Sequence, residues 1–494
     1  MGIKKLFLLT TCSAALIVGC GGGGGDGSPA GSSTAPTGTG QLSNSPIDGV
    51  SYTGAPSGLA GTTMNGGLYE FTEGDTITFN IAGLEIDVPA GARVTPQVIA
   101  EALVPADAMN AVQARQNVLL NLTTFFQTLD NDGDTENGAI EIREGATLGN
   151  VEALAANLNA EPAMFQTEFQ TALDSSEGVR DEGMDNPDPV NETEAQLRFY
   201  RNELQGNWRL VSVQEEGTTI NPSGSFDVLI SFDAGNSSAT GSGPINSFVF
   251  AEYDLGDSFS TVGVGTLNFD ANSDSFELTS LPRRLRSDGP NDSSTDPDGA
   301  LFGTTIELSG AQLVLNIDDE GTQIVATFQR FNNQKDSLIG SWYEILPPDS
   351  DDGSGISTSV QPTVGEPAAN GSVQFGENVA SIFYYFLSNS RLMIVTTDLA
   401  ASGDDDEQNG IVVVDYSVSG TTLSFDAIQL DSVSKNPDVP EFETGPQLEI
   451  GEAARNDTMR TLDLGGEIVD IYRVLSLSER VGDFEQSEQI SSAQ

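Results

Sequence analysis

The chain has 494 residues, with 73 Asp and Glu against 20 Lys and Arg, no histidine, and a formal net charge of −53 at pH 7. Such a charge repels phosphate backbones and excludes nucleic-acid binding through a basic surface. The missing imidazole removes Ser-His-Asp and Cys-His nucleophile activation and histidine metal ligands. Length implies about three domains, and 54 glycines with 22 prolines imply a turn-rich, mainly β chain.

At the start, Lys4 and Lys5 precede an uncharged run over residues 6–18 and then Gly19-Cys20, the three-part layout of an export signal. The run is too short to span a membrane. Ile17-Val18-Gly19-Cys20 resembles the lipobox of bacterial lipoproteins. The resemblance implies removal of residues 1–19 and lipidation of Cys20, an anchor that is stable when several acyl chains act together. Gly21 after the cysteine implies, in a Gram-negative organism, the outer membrane. Cys12 leaves with the signal, so no disulfide can form inside the mature chain. Residues 20–45 are nearly all Gly, Ser, Thr, Pro and Ala and read as a flexible tether, with a span of about 25–30 Å.

Residues 46–175 read as a small α+β unit. Alternating runs such as Leu68-Tyr69-Glu70-Phe71 and Thr76-Ile77-Thr78-Phe79 predict short hairpins. Val112, Leu119, Leu122, Phe126 and Leu129 predict a helix over about 111–129. Val151, Leu154 and Leu158, then Phe165, Phe169 and Leu173, mark two more helical stripes. After the first helix comes Asp130-Asn131-Asp132-Gly133-Asp134-Thr135-Glu136-Asn137-Gly138. Four carboxylates beside a helix C-terminus are unfavourable without a cation, and oxygen ligands at alternate positions of a tight turn suit Ca²⁺. Asp130, Asp132, Asp134, Glu136, Asn137 and Glu141 are the candidate ligands; the alternative is a solvated acidic turn. The stretch resembles the DxDxDG loops of EF-hand and thrombospondin type 3 repeats. Thr135 stands where an EF-hand has glycine, and Ile140-Glu141-Ile142 predicts a strand where an EF-hand has a helix, so a calcium loop outside the EF-hand type is expected. The segment from Gly49 to Ile142, through Ser51-Tyr52-Thr53 and Gly67-Leu68-Tyr69-Glu70-Phe71, also resembles a module of bacterial surface lipoproteins.

Residues 176–203 read as a linker ending in a short helix over about 192–204. The chain's two tryptophans then sit in one local frame, Leu204-Gln205-Gly206-Asn207-Trp208 and Leu338-Ile339-Gly340-Ser341-Trp342. About one domain length separates them, which predicts tandem copies over 204–332 and 336–476, followed by a disordered tail over 477–494. Each copy holds about eight strand-like runs, the pattern of an up-and-down antiparallel barrel, and each ends alike, in Phe328-Gln329-Arg330 and Ile471-Tyr472-Arg473. GxW on the first strand with Arg on the last resembles the lipocalin and calycin barrels. The resemblance implies that Trp208 packs under Arg330 and Trp342 under Arg473, with Gly206 and Gly340 at the strand starts, all in structural roles. The expected fold is therefore mainly β and multidomain: a small α+β N-terminal domain followed by two up-and-down antiparallel eight-stranded lipocalin-like barrels.

Aromatic runs, Phe248, Phe250 and Tyr253 in one copy and Phe383 to Phe386 in the other, either line a cavity or pack a core. The expected function is a non-catalytic, lipid-anchored envelope protein holding Ca²⁺ and binding a small apolar ligand or an envelope partner. The alternatives are an adhesive protein with filled barrels and a hydrolase built on paired carboxylates, for which no nucleophile motif is present.

Overall fold

The structure is a computed structural model that describes residues 36–479 apart from 134–138, 181–185, 216, 223–224, 234–242, 257, 271–274, 287–304, 310–311, 320–321, 335–336, 346–380, 398–409, 433–443, 452–458, 464–467 and 477–478. The described residues are mainly β, with the helices confined to the N-terminal part.

The first unit carries β1 (Gly38–Leu42), β2 (Ile47–Asp48), β3 (Ser51–Ala55), β4 (Ala60–Thr62), β5 (Leu68–Phe71), β6 (Thr76–Ile81), β7 (Leu84–Pro89) and β8 (Arg93–Val94), then α1 (Pro96–Leu103), α2 (Ala111–Thr128), β9 (Ile140–Glu141), α3 (Val151–Ala156) and α4 (Pro162–Asp174). Alternation sets the faces of β6 and β7: Ile77, Phe79, Ile81, Leu84, Ile86 and Val88 are buried and the residues between them face outward. Thr95 caps α1 by accepting from the Val98 amide, and Pro96 supplies its first turn. The C-terminal half of α2 is buried on every side, so Asn121 and Gln127 need partners. Asn121 donates to the Leu158 and Ala160 carbonyls at 2.9 Å, and Gln127 donates to the Ala195 carbonyl at 2.8 Å.

The expected tether ends earlier than its composition suggests. β1 lies between β5, antiparallel, and β8, parallel, and Leu42, Ser43, Asn44 and Ser45 are buried. Glycine is required there by packing: a Cβ on Gly38 would meet the Phe71 ring at 2.6 Å, and one on Gly40 the Tyr69 ring at 2.4 Å. The expected linker is also structural in part. Val179 is buried in the first core, and α5 (Glu192–Leu204) places Leu197, Phe199, Tyr200 and Leu204 in the core of the next unit.

The first copy contains β10 (Gly206–Glu215), β11 (Thr218–Ile220), β12 (Phe226–Phe232), β13 (Gly243–Asp254), β14 (Phe259–Asp270), β15 (Ser275–Arg286), β16 (Thr305–Ser309), β17 (Gln312–Asp319) and β18 (Thr322–Arg330). Its ladder order is β15-β14-β13-β12-β10-β18-β17-β16, with β11 beside β10. The sheet wraps one apolar core that draws on β10, β14 and β16 alike, yet among the described residues no ladder joins β15 to β16. Among the described residues, five-residue β16 is paired with β17 alone, and the connection between β15 and β16 at 287–304 lies outside them, so closure is seen in one of the two copies.

The second copy closes. β19 (Gly340–Ile345), β20 (Ser381–Ser388), β21 (Arg391–Thr397), β22 (Gly410–Ser419), β23 (Thr422–Asp431), β24 (Gly445–Ile450), β25 (Met459–Asp463) and β26 (Ile468–Arg473) form an antiparallel barrel in chain order, β26 pairing back onto β19. The connection between β19 and β20 at 346–380 lies outside the described residues.

Where the tandem copies meet, over β12–β14 of the first and β19–β22 of the second, the sheets are apolar on both faces. In β22, Val412 and Val414 point into the barrel while Ile411 and Val413 belong to a separate cluster. That cluster joins Leu229, Val249, Ala251 and Tyr253 of the first copy to Tyr343, Phe383, Tyr385 and Met393 of the second. Polar contacts fix the seam: Ser231 Oγ lies 2.9 Å from the Tyr385 hydroxyl, Ser260 donates to Ser432 at 2.8 Å, and Asn207 donates to the Val474 carbonyl at 3.1 Å. The two copies therefore share one buried face, and continuous apolar runs are the sequence mark of a strand buried on both sides.

Candidate functional site

The two tryptophan ends are built alike. Trp208 lies opposite Arg330 across β10 and β18, with the guanidinium 4.4 Å from the ring centroid; Trp342 lies opposite Arg473 across β19 and β26, at 4.1 Å. Each indole donates to the carbonyl four residues earlier, Leu204 at 2.8 Å and Leu338 at 2.9 Å. Arg330 donates to the carbonyls of Gln205 and Glu203, and Arg473 to those of Gln334, Ser337 and Ile339. Cation–π attraction and a fork of donors thus close one end of each unit. Gly206 and Gly340 both have positive φ, at 101° and 134°. A Cβ on Gly340 would meet Asn333 Oδ1 at 2.2 Å.

The acidic loop after α2 is described in part. Asp134, Glu136 and Asn137, and also Cys20, lie outside the described residues. Asp130 is 1% exposed; its Oδ1 accepts from the Glu141 amide at 2.9 Å, while Oδ2 is buried with no hydrogen-bond partner. Burial, reinforced by the neighbouring Asp132 charge, pushes the Asp130 carboxyl up to about 7. Glu141 is in strand β9, pairing in parallel with β2, and its carboxylate accepts from Asn131 at 3.1 Å. Sequence reasoning passed over Arg180, which donates to the Asp130 carbonyl and packs on Gly133, where a Cβ would meet the guanidinium at 2.7 Å. Burial lowers the Arg180 guanidinium pKa, and Asp130 and Asp132 raise it. Among the described residues, no group of three or more acidic or sulfur ligands is placed to hold a metal. The partnerless Oδ2 is nevertheless a hard oxygen ligand of the kind that calcium takes.

A third cluster lies inside the closed barrel, at positions that periodicity alone reads as core. Alternation along β19 sends Trp342 and Glu344 inward and Tyr343 to the seam. Glu344 is 5% exposed and accepts from the Tyr384 hydroxyl at 3.0 Å. Burial first, then the Glu344 carboxylate, pushes the Tyr384 phenol well above its usual range. On the other side, Arg460 of β25 has its guanidinium 5.7 Å from the Trp342 ring. Arg460 pairs with Ile471, and β26 then pairs with β19, so continuing the register puts Arg460, Ile471 and Glu344 in one row around the barrel. The aromatic runs divide between the two surfaces: Tyr384 and Phe386 face inward, Phe383 and Tyr385 face the seam, and Phe248 and Tyr253 divide likewise.

The chain matches no family model, no curated protein and no solved structure. No described helix is long and apolar enough to cross a membrane.

Proposed function

We propose that this chain is a non-catalytic binding protein of the bacterial cell envelope, lipid-anchored at Cys20, that holds Ca²⁺ in the loop after α2 and uses barrel structure as its binding element. The observation that carries the reading is the closed eight-stranded antiparallel barrel whose described interior combines an apolar cluster with Glu344, Tyr384 and Arg460. A barrel of that size encloses either packed side chains or one small ligand, and buried charge is poorly explained by stability alone. The first copy is read as a second calycin-type barrel, supported by the same strand order and the same Trp–Arg end. Calcium is supported by the buried, partnerless Oδ2 of Asp130. The lipobox-like sequence supports the outer-membrane anchor, and the charge of −53 argues against nucleic acid.

Mass spectrometry of small molecules extracted from protein purified out of its native envelope tests the reading: an apolar molecule near one equivalent supports it. An empty, fully folded protein would favour the adhesive alternative, in which the barrels are filled cores and loops meet partners. Calorimetric titration of the full chain with Ca²⁺ tests the ion, since heat absent at millimolar calcium removes it. Cys20→Ser should move the protein from the membrane fraction to the soluble fraction.

A further inference from the structure

Asp130 and Asp132 crowd the negative end of α2, an arrangement that calls for a cation. The chain itself supplies one. Arg180, brought back from beyond α4, donates to the Asp130 carbonyl just past the helix and lies on Gly133, so its charge stands over the opening turn of the acidic loop. Basic side chains commonly complete a helix C-terminus in this way.

The seat of Arg180 is built from the backbone outward. Val179 is buried in the first core, the amides of Thr147 and Glu177 donate to each other's carbonyls at 2.9 Å, and Arg143 donates to the Arg180 carbonyl. The main chain is thereby fixed, and the half-buried side chain reaches the loop from it. The loop's opening turn is fixed separately: the Asn131 amide donates to the Glu141 carbonyl at 2.9 Å, and the Glu141 amide donates to Asp130 Oδ1 at 2.9 Å. One oxygen is left over. Arg180 donates to the main-chain oxygen of Asp130, and the carboxylate Oδ2 of the same residue stays buried without a hydrogen-bond partner. A carboxylate oxygen at that depth is costly unless something ligates it. The loop thus has a resident cation for its charge and an unligated hard oxygen for a second one.

We propose that Arg180 is the resident counter-ion of the calcium loop, standing in for the cation when Ca²⁺ is absent and competing with it when Ca²⁺ is present, with Asp130 the residue that both cations share. The proposal rests on the reading of this loop as a calcium site and adds what regulates it. Two cations drawn to the same carboxylates repel each other, and the effect is reciprocal: by whatever factor Arg180 weakens calcium, calcium weakens the seat of Arg180. Affinity in such loops follows the charge of the ligand set. The guanidinium therefore sets the loop to respond at higher calcium than its carboxylates alone require, and keeps the turn ordered without the ion.

Calorimetric titration of the full chain with calcium chloride tests this, on wild type, Arg180→Gln and Arg180→Lys, each also melted in EDTA and in saturating calcium. Arg180→Gln should bind calcium at least about fivefold tighter than wild type, and Arg180→Lys, which keeps the charge, more weakly than Arg180→Gln. In EDTA the glutamine variant should melt below wild type, and calcium should raise its melting temperature by more than it raises that of the wild type. A guanidinium that merely scaffolds the loop gives the reverse, so equal or weaker calcium binding by Arg180→Gln overturns the competition, as does a glutamine variant that folds in neither condition. Lysine binding as tightly as glutamine overturns the assignment to charge. Calcium heat absent from wild type and Arg180→Gln alike is a separate failure, that of the calcium reading itself.

Discussion

Glu203 is the residue on which the junction between the first unit and the first copy turns. At the end of α5 and 3% exposed, it accepts from Arg93 of β8 and from Ser43, and it lies 3.8 Å from the guanidinium of Arg330 that covers Trp208. Burial raises its carboxyl, but the Arg93 and Arg330 charges outweigh burial and hold it below the usual carboxylate range. Glu203→Gln leaves two buried guanidinium groups without their counter-charge and should cost about 3–5 kcal/mol in urea unfolding. Because the folded-state pKa is depressed, this stabilisation is fully present above the unfolded value near 4.5 and is lost as pH falls below it. The glutamine variant should therefore lose part of the wild type's acid dependence below pH 4.5. Asp130 has the opposite sign. Its folded pKa of about 7 is raised, so in EDTA its contribution is present below about pH 4 and is lost as pH rises through 7. Asp130→Asn should then be the more stable protein at pH 8 in EDTA, by about 1–3 kcal/mol, and the less stable one in millimolar calcium. An order that calcium leaves unchanged would count against the ion site.

Strands such as β22 test how the copies bury their faces. Val412 and Val413 are both fully buried, one inside the barrel and the other in the seam. On a free-standing barrel the outward position would face water, where a serine changes stability by less than about 0.5 kcal/mol. Here Val412→Ser and Val413→Ser should each cost about 2–4 kcal/mol by denaturant titration; a neutral Val413→Ser would show that the seam opens in solution. The elements themselves were largely readable from period: α2, α4, α5 and most strands of both copies fall within a few residues of the runs that predict them. What periodicity lacks is the identity of the second burying surface, so Phe383-Tyr384-Tyr385-Phe386 announced burial without saying that alternate rings serve different cores. β1 was missed for a related reason. Its glycines match a flexible composition, whereas the cause of their presence is the Tyr69 and Phe71 rings lying against the strand. α1 was missed although its signal was visible, Thr95 before Pro96.

For the whole molecule, the seam decides how the tandem copies unfold. A linker between independent barrels would let each melt alone, and the sequence could not distinguish that arrangement from this one because both need the same GxW frames. In the structure, the short connection after Arg330 is held from both sides: Phe331 donates to the Asn207 carbonyl at 2.9 Å, and Asn333 to the Val474 carbonyl at 2.9 Å and to Glu479. A Cβ on Gly206, where φ is 101°, would meet the Ser476 side chain at 2.9 Å, so the first strand of one copy abuts the chain leaving the other. Opening either copy exposes the cluster of Leu229, Val249, Phe383 and Tyr385 in its neighbour, a loss of about 25 cal/mol for each Å² of apolar surface returned to water. The two copies should therefore melt in one calorimetric transition, with calorimetric and van't Hoff enthalpies in agreement for that transition. Gly206→Ala adds both strain at positive φ and a clash at the seam, so it should lower that single transition temperature without splitting it. Two resolved transitions in the wild type, each assignable by the emission of its own tryptophan, would show instead that the copies are thermodynamically separate.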